Sequence, residues 1–192
     1  MVSTQSRNLI LAIVAGLMLG SIIWFIGGNE LGYLFIQYNG YVYQGFIWQL
    51  FTSLFIAPPF IYGFEDVLFN SLSIILLDRF LLFSYTPGQY YFTFFITGII
   101  GNLFSLLNGP NYASFGASGG IFGLLAGGVA LDYANSRRIN LPLIIWFASV
   151  LLYSSFALPN IDWLAHFGGS ASGFILGYII GMERRKEAIY RY

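Results

Sequence analysis

The amino-acid sequence predicts an all-α membrane protein: a bundle of six transmembrane helices with a membrane-embedded first loop. Three observations predict it. Hydrophobic residues make up 57 % of the chain and charged residues 8 %, whereas a soluble domain carries about a quarter charged residues. Apolar runs near the ~17–25 residues needed to cross a ~30 Å hydrocarbon layer recur six times along the 192 residues. Every Lys and Arg falls on the same side of those runs once the chain is threaded back and forth. The composition also excludes other classes. A net charge of 0 removes the electrostatic footprint of a nucleic-acid partner. With no Cys there is no disulfide, thiol nucleophile or Cys-ligated metal, and a single His gives no reason to expect a metal or other cofactor.

The predicted spans are 9–26, 66–83, 90–107, 115–131, 143–158 and 163–182. The first reads as a retained span, because no small-residue cleavage site follows it at 27–29. Pro58, Pro59, Pro87, Pro110 and Pro159 punctuate the gaps, and Pro142 suits a helix start. Thr86-Pro87-Gly88 and Asn108-Gly109-Pro110-Asn111 are turn chemistry. With the N-terminus inside, Arg7, Arg79, Arg137, Arg138, Arg184, Arg185, Lys186 and Arg191 all face the cytoplasm, while Glu30, Glu65, Asp66 and Asp162 lie outside. This asymmetry places both termini in the cytoplasm. It gives a multi-pass cell-membrane protein whose surroundings are the lipid bilayer. One Lys, no Cys and an acidic outer face hint at a prokaryotic source. The basic tail from 181 onward suits anionic lipid head groups.

The segment 27–63 is long for a connection and dense in aromatics, among them Tyr33, Phe35, Tyr38, Tyr41, Phe46, Trp48 and Phe51. Amphipathic rings settle at the membrane–water interface, so this loop is expected to sit partly sunk in the outer leaflet. An aromatic belt is the plainer reading of the same residues.

Polar side chains at bilayer depth are costly and call for a reason. Ser118 lies 14 residues before Asp132, roughly 21 Å at 1.5 Å per residue. His166 lies 16 residues before Met182, roughly 24 Å by the same rise. Asn70, counted to Phe83, comes out at roughly 20 Å. All three share one depth below the outer surface. Gly169, Gly173, Gly177 and Gly181 on the sixth run, and Gly119, Gly123 and Gly127 on the fourth, form small-residue stripes that let two helix backbones approach closely. His166 shares the face of Gly169 and Gly173. Ser118 is about 100° off the Gly119 line, so bringing it to His166 requires an irregular start to the fourth helix, which Gly116, Gly119 and Gly120 permit.

A serine hydroxyl becomes a nucleophile when a neighbouring base takes its proton, and neutral imidazole suits that role near pH 7. Backbone N–H groups at Gly116, Ser118 and Gly119, next to a helix N-terminus, offer sites for a developing oxyanion. Asn70 adds a side-chain donor, and Phe122, one turn on from Ser118, puts a ring where it can stack on the imidazole. The competing reading is structural. A lone intramembrane His or Asn often serves as a hydrogen-bond partner between helices, and a Ser among glycines usually serves packing.

Gly116-Ala117-Ser118-Gly119, followed by Ala165-His166-Phe167-Gly168-Gly169 with Gly173, resembles the rhomboid family of intramembrane serine proteases. Trp48-Gln49-Leu50-Phe51-Thr52 looks like that family's first-loop Trp-Arg motif. Leu68-Phe69-Asn70 looks like the end of its His-x-x-x-Asn motif. The resemblance runs from about 46 to 182. It implies Ser118 as nucleophile, His166 as its base, and Asn70 with the backbone at Gly116 and Ser118 as the oxyanion site. It also implies a dyad without a catalytic Asp, no cofactor, and transmembrane protein substrates cut near the outer end of their helices. Three positions depart from the pattern. Asp66 stands where the oxyanion His is usual, Gln49 replaces the Arg, and Phe122 replaces a Tyr. An ionised Asp66 beside an oxyanion would repel it, so Asp66 is expected either to point away or to be protonated. An inactive, client-binding relative is the first alternative. A small channel is the second, disfavoured because below Ser118 the fourth helix offers only Gly, Ala, aliphatic residues and Phe122 as far as Asp132. Trp146, Phe147, Tyr153 and Phe156 on the fifth run are candidates for a lateral gate.

Overall fold

A computed structural model of the chain describes residues 3–81, 85–137, 139, 141–152 and 161–190. It is an all-α structure. Among the described residues, six longer helices lie at the apolar runs: α1 (Thr4–Gly32), α4 (Ile61–Leu81), α5 (Pro87–Ser105), α6 (Ser118–Ser136), α7 (Leu141–Leu152) and α8 (Trp163–Tyr190). Between α1 and α4 the chain forms β1 (Gln37–Tyr38) and the short helices α2 (Asn39–Tyr43) and α3 (Gln49–Thr52). Between α5 and α6 lies β2 (Ala113–Ser114), which pairs antiparallel with β1, Gln37 opposite Ser114 and Tyr38 opposite Ala113.

Among the described residues, 4–32, 87–108 and 163–188 are long and apolar enough to cross a membrane by length and composition. The other helices fail that test for different reasons. α4 carries Glu65, Asp66, Asp78 and Arg79. α6 is rich in glycine and almost wholly buried by its neighbours, so it needs little hydropathy of its own. The described part of α7 has 12 residues.

Local chemistry sets the helix ends. Thr86 and Gln89 form a reciprocal capping box with Pro87 in the first turn of α5. Ser3 caps α1 by accepting from the Ser6 N–H. α1 runs past the expected end at 26 and reaches Gly32 because Gly28, at φ 59°, makes a kink and lets helical pairing resume. The first-loop segment therefore begins later than the expected 27.

α6 is the centre of the molecule. Its glycine face meets that of α8 so closely that a Cβ on Gly169 would collide with the carbonyl oxygen of Gly119, one on Gly173 with Gly123, and one on Gly177 with Gly127. This is the backbone approach that small residues at every fourth position allow. α5 closes the other side, with Gly120 against Phe94 and Gly123 against Thr97. Leu9, Ile13, Ile74, Leu77, Phe94, Leu124 and Leu125 fill the core shared by α1, α4, α5 and α6.

The first loop is held by buried amides rather than by aromatic rings alone. Gln37 Nε2 donates to Asn39 Oδ1 (2.8 Å) and to the Asn102 carbonyl (2.9 Å). Asn39 Nδ2 donates to the carbonyls of Ser105 (2.8 Å) and Gly109 (2.9 Å). Gln49, fully buried, accepts from the Tyr38 N–H at 2.9 Å and donates to the Tyr33 carbonyl at 2.7 Å. Asn102 Nδ2 donates to the Leu50 carbonyl (2.8 Å) and to Ser53 Oγ (2.9 Å). Buried backbone must find partners, and these amides supply them to an irregular segment packed against α5.

At the opposite end of the helices, the carboxylate of Asp78 accepts from the Ser3 N–H (2.5 Å), Ser3 Oγ (2.9 Å) and Ser6 Oγ (2.6 Å), and Ser6 Oγ lies 3.0 Å from Tyr90 Oη. This ties the start of α1 to α4 and α5. Arg184 donates to Gln89 at the same end.

Candidate active site

The start of α6 is shaped by Gly116. At φ 115° it occupies backbone space that L side chains rarely adopt, and a Cβ there would lie 2.5 Å from Asp66 Oδ1 and 2.8 Å from Oδ2. The turn at Gly116 lets Ala117 act as N-cap and sets Ser118 as the first helical residue. The irregularity the sequence calls for therefore lies just before the helix, and Gly119 and Gly120 are regular members of α6. Those two glycines serve close packing instead.

α8 brings His166 to the same height. Asp162 precedes the helix, and its Oδ1 accepts from the Ala165 N–H at 3.1 Å and from Asn108 Nδ2 at 3.0 Å. This is an N-cap bond that fixes the first turn. One turn on, His166 is 3 % exposed, with Nε2 3.0 Å from Ser118 Oγ. The Gly119–Gly169 contact directly below permits that approach, and Gly123–Gly173 continues it one turn further. The Phe122 ring lies 4.5 Å from the imidazole, centroid to centroid, tilted by 45°. It packs in turn against Phe147 at 6.4 Å. Ser118 itself is partly exposed.

Asn70 and Asp66 reach the site from α4. Asn70 is buried and donates through Nδ2 to Asp66 Oδ2 at 2.8 Å, leaving its second amide hydrogen for another acceptor. Of the two alternatives expected for Asp66, pointing away or being protonated, the first is not met: its carboxyl lies over Gly116 and is bound to Asn70. The backbone N–H of Gly116 is also reassigned. It donates to the Ser53 carbonyl at 2.8 Å, so it stabilises the loop and is not available to an oxyanion. The Ser118 N–H, at the first helical position, has no helical carbonyl to meet.

The support behind this turn comes from residues far from it in the sequence. Asn102 holds Ser53, and Ser53 holds Gly116, so the first loop braces the segment that carries Ser118. A polar residue in an otherwise apolar run was the available signal at Asn102. Of the candidate gate residues, Tyr153 and Phe156 lie outside the described residues, as does the side chain of Trp146.

A Rhomboid domain model matches residues 44–183. The chain is 29 % identical over 154 residues to the putative rhomboid protease YdcA of Bacillus subtilis (strain 168), covering 78 % of this chain and 75 % of that protein. It is 34 % identical over 146 residues to RHOMBOID-like protein 1 of Arabidopsis thaliana, covering 72 % and 36 % respectively. It is 28 % identical over 149 residues to rhomboid protease GluP of Bacillus subtilis (strain 168), covering 76 % and 28 %. The match thus spans about a third of the length of the last two proteins.

Proposed function

Because the chain belongs to the rhomboid family of intramembrane proteases, we propose that it is a serine endopeptidase that cuts the transmembrane helices of other membrane proteins. The observation that carries the reading is the 3.0 Å contact between Ser118 Oγ and His166 Nε2, within hydrogen-bond reach of a nucleophile and its base. Ser118 Oγ attacks the scissile carbonyl as Nε2 takes its proton, which requires the neutral tautomer with hydrogen on Nδ1. The negative charge that develops on the carbonyl oxygen is received by the Ser118 N–H and the second N–H of Asn70. His166 returns the proton to the leaving amine. Water, deprotonated by the same nitrogen, then releases the acyl group from Ser118. No cofactor enters the scheme. Phe122 fixes the plane of the imidazole by packing on it, and Asp66 orients Asn70 by accepting one of its hydrogens.

In the bilayer the six helices α1, α4, α5, α6, α7 and α8 serve as spans, with both termini in the cytoplasm. Support comes from the charge distribution. Arg7, Arg137, Arg184, Arg185 and Lys186 lie at the end of the bundle away from Ser118, as the positive-inside rule requires. The site then opens toward the outer leaflet, where a substrate helix near its end can unwind and present its backbone. The test is cleavage of a doubly tagged transmembrane substrate co-reconstituted in liposomes. Two fragments are expected with the parent chain and none with Ser118→Ala. An uncut substrate with the parent, or equal cleavage by both, would overturn the reading.

A further inference from the structure

The end of the molecule that holds the dyad has a one-sided charge. Asn29 and Phe115 line one cavity there, which places Glu30 at that end beside Glu65, Asp66 and Asp162. Among the described residues, no Lys or Arg shares it. Asp66 is the member that reaches the turn carrying Ser118. One oxygen accepts from Asn70, and both lie against Gly116, two residues before the nucleophile and so at most roughly 7 Å along the chain from it. Nothing described in this chain offers Asp66 a cation. Asp66 is half-buried, and a carboxyl bonded to a single amide keeps acceptor capacity to spare for an incoming cation.

We infer that Asp66 selects substrates carrying a Lys or Arg side chain beside the scissile bond, its carboxylate pairing with the incoming ammonium or guanidinium. This rests on the protease reading above and gives that site a substrate class. It also resolves the misfit of a negative group near an oxyanion. A substrate cation seated on Asp66 neutralises it at the moment the tetrahedral intermediate forms, so the charge of Asp66 favours a basic substrate and penalises a neutral one. The acidic rim formed by Glu30, Glu65 and Asp162 draws a basic juxtamembrane segment toward the site.

The test is a substrate series in liposomes in which each residue flanking the scissile bond is changed in turn to Lys, Arg or Gln. At one flanking position Lys or Arg should raise kcat/KM about 10–100-fold over Gln, the range of a charge-assisted hydrogen bond. In Asp66→Asn that ratio should fall to near 1 whatever the basal rate, and in Asp66→Glu it should persist. A second measurement uses the unaltered chain. Short peptides bearing Lys should protect Ser118 from a fluorophosphonate at about 10–100-fold lower concentration than their Gln counterparts. Equal handling of Lys and Gln at every position, with Ser118 still labelled, would overturn this inference and leave the protease reading intact. So would a Lys preference that survives in Asp66→Asn. Absence of both labelling and cleavage would instead overturn the protease reading together with this one.

Discussion

Gly116→Ala tests how tightly the turn before Ser118 is built. Two costs follow from the structure. A methyl group at φ 115° sits in sparsely populated backbone space, worth about 1–3 kcal/mol. The same methyl would meet Asp66 Oδ1 at 2.5 Å and Oδ2 at 2.8 Å, so the carboxyl must move by about an ångström or the turn must open, an overpacking cost of about 1–3 kcal/mol. Asp66→Ala alone removes one acceptor from Asn70, worth about 1 kcal/mol. In the double variant the collision vanishes while the backbone strain stays. A double-mutant cycle should therefore show a coupling of at least about 1 kcal/mol, with the double variant more stable than the sum of the singles. Denaturation followed by tryptophan fluorescence in detergent gives the stabilities, and the rate of Ser118 labelling by a fluorophosphonate gives the integrity of the site. Additivity within about 0.5 kcal/mol would refute the placement of Asp66 over Gly116.

Asn70→Ala should lower kcat by about 10²–10³-fold with little change in KM, the usual cost of one oxyanion donor, measured by substrate cleavage in liposomes. Asn102→Ala leaves the Leu50 carbonyl and Ser53 Oγ without their donor and should cost about 1–3 kcal/mol of stability, read by thermal melting. Because Ser53 holds Gly116, labelling of Ser118 should slow in the same variant. The dependence of kcat/KM on pH should rise as the imidazole of His166 gives up its proton and then level off, since only the neutral ring can accept from Ser118. A rate that falls over that rise would contradict the role of His166 as base.

The helices and the meeting of Ser118 with His166 were legible in the sequence because their signals are local or repeat. Apolar runs mark α1, α4, α5, α6, α7 and α8. Glycine at every fourth position marks the α6–α8 seam. A single His and a Ser at matching depth can be found by counting rise per residue. The first loop was less legible. Its aromatics suggested an interfacial belt, but its architecture depends on Gln37 and Asn39 meeting the backbone of distant Asn102 and Ser105. No window of sequence contains both partners. The same applies to Asp78, which is buried in α4 and satisfied by Ser3 and Ser6 more than seventy residues away. Gly116 shows a finer limit. Its sequence neighbours suggested a free N–H, and only the fold shows the Ser53 carbonyl that takes it.

The pairing of Ser118 with His166 is tested most directly by mass spectrometry of the protein after reaction with a fluorophosphonate in detergent. One adduct, on Ser118, is expected in the parent chain. Ser118→Ala should give no adduct, and His166→Ala, although folded, should react at least about 10³-fold more slowly. An adduct on another residue, or undiminished labelling without the imidazole, would contradict a nucleophile activated by His166.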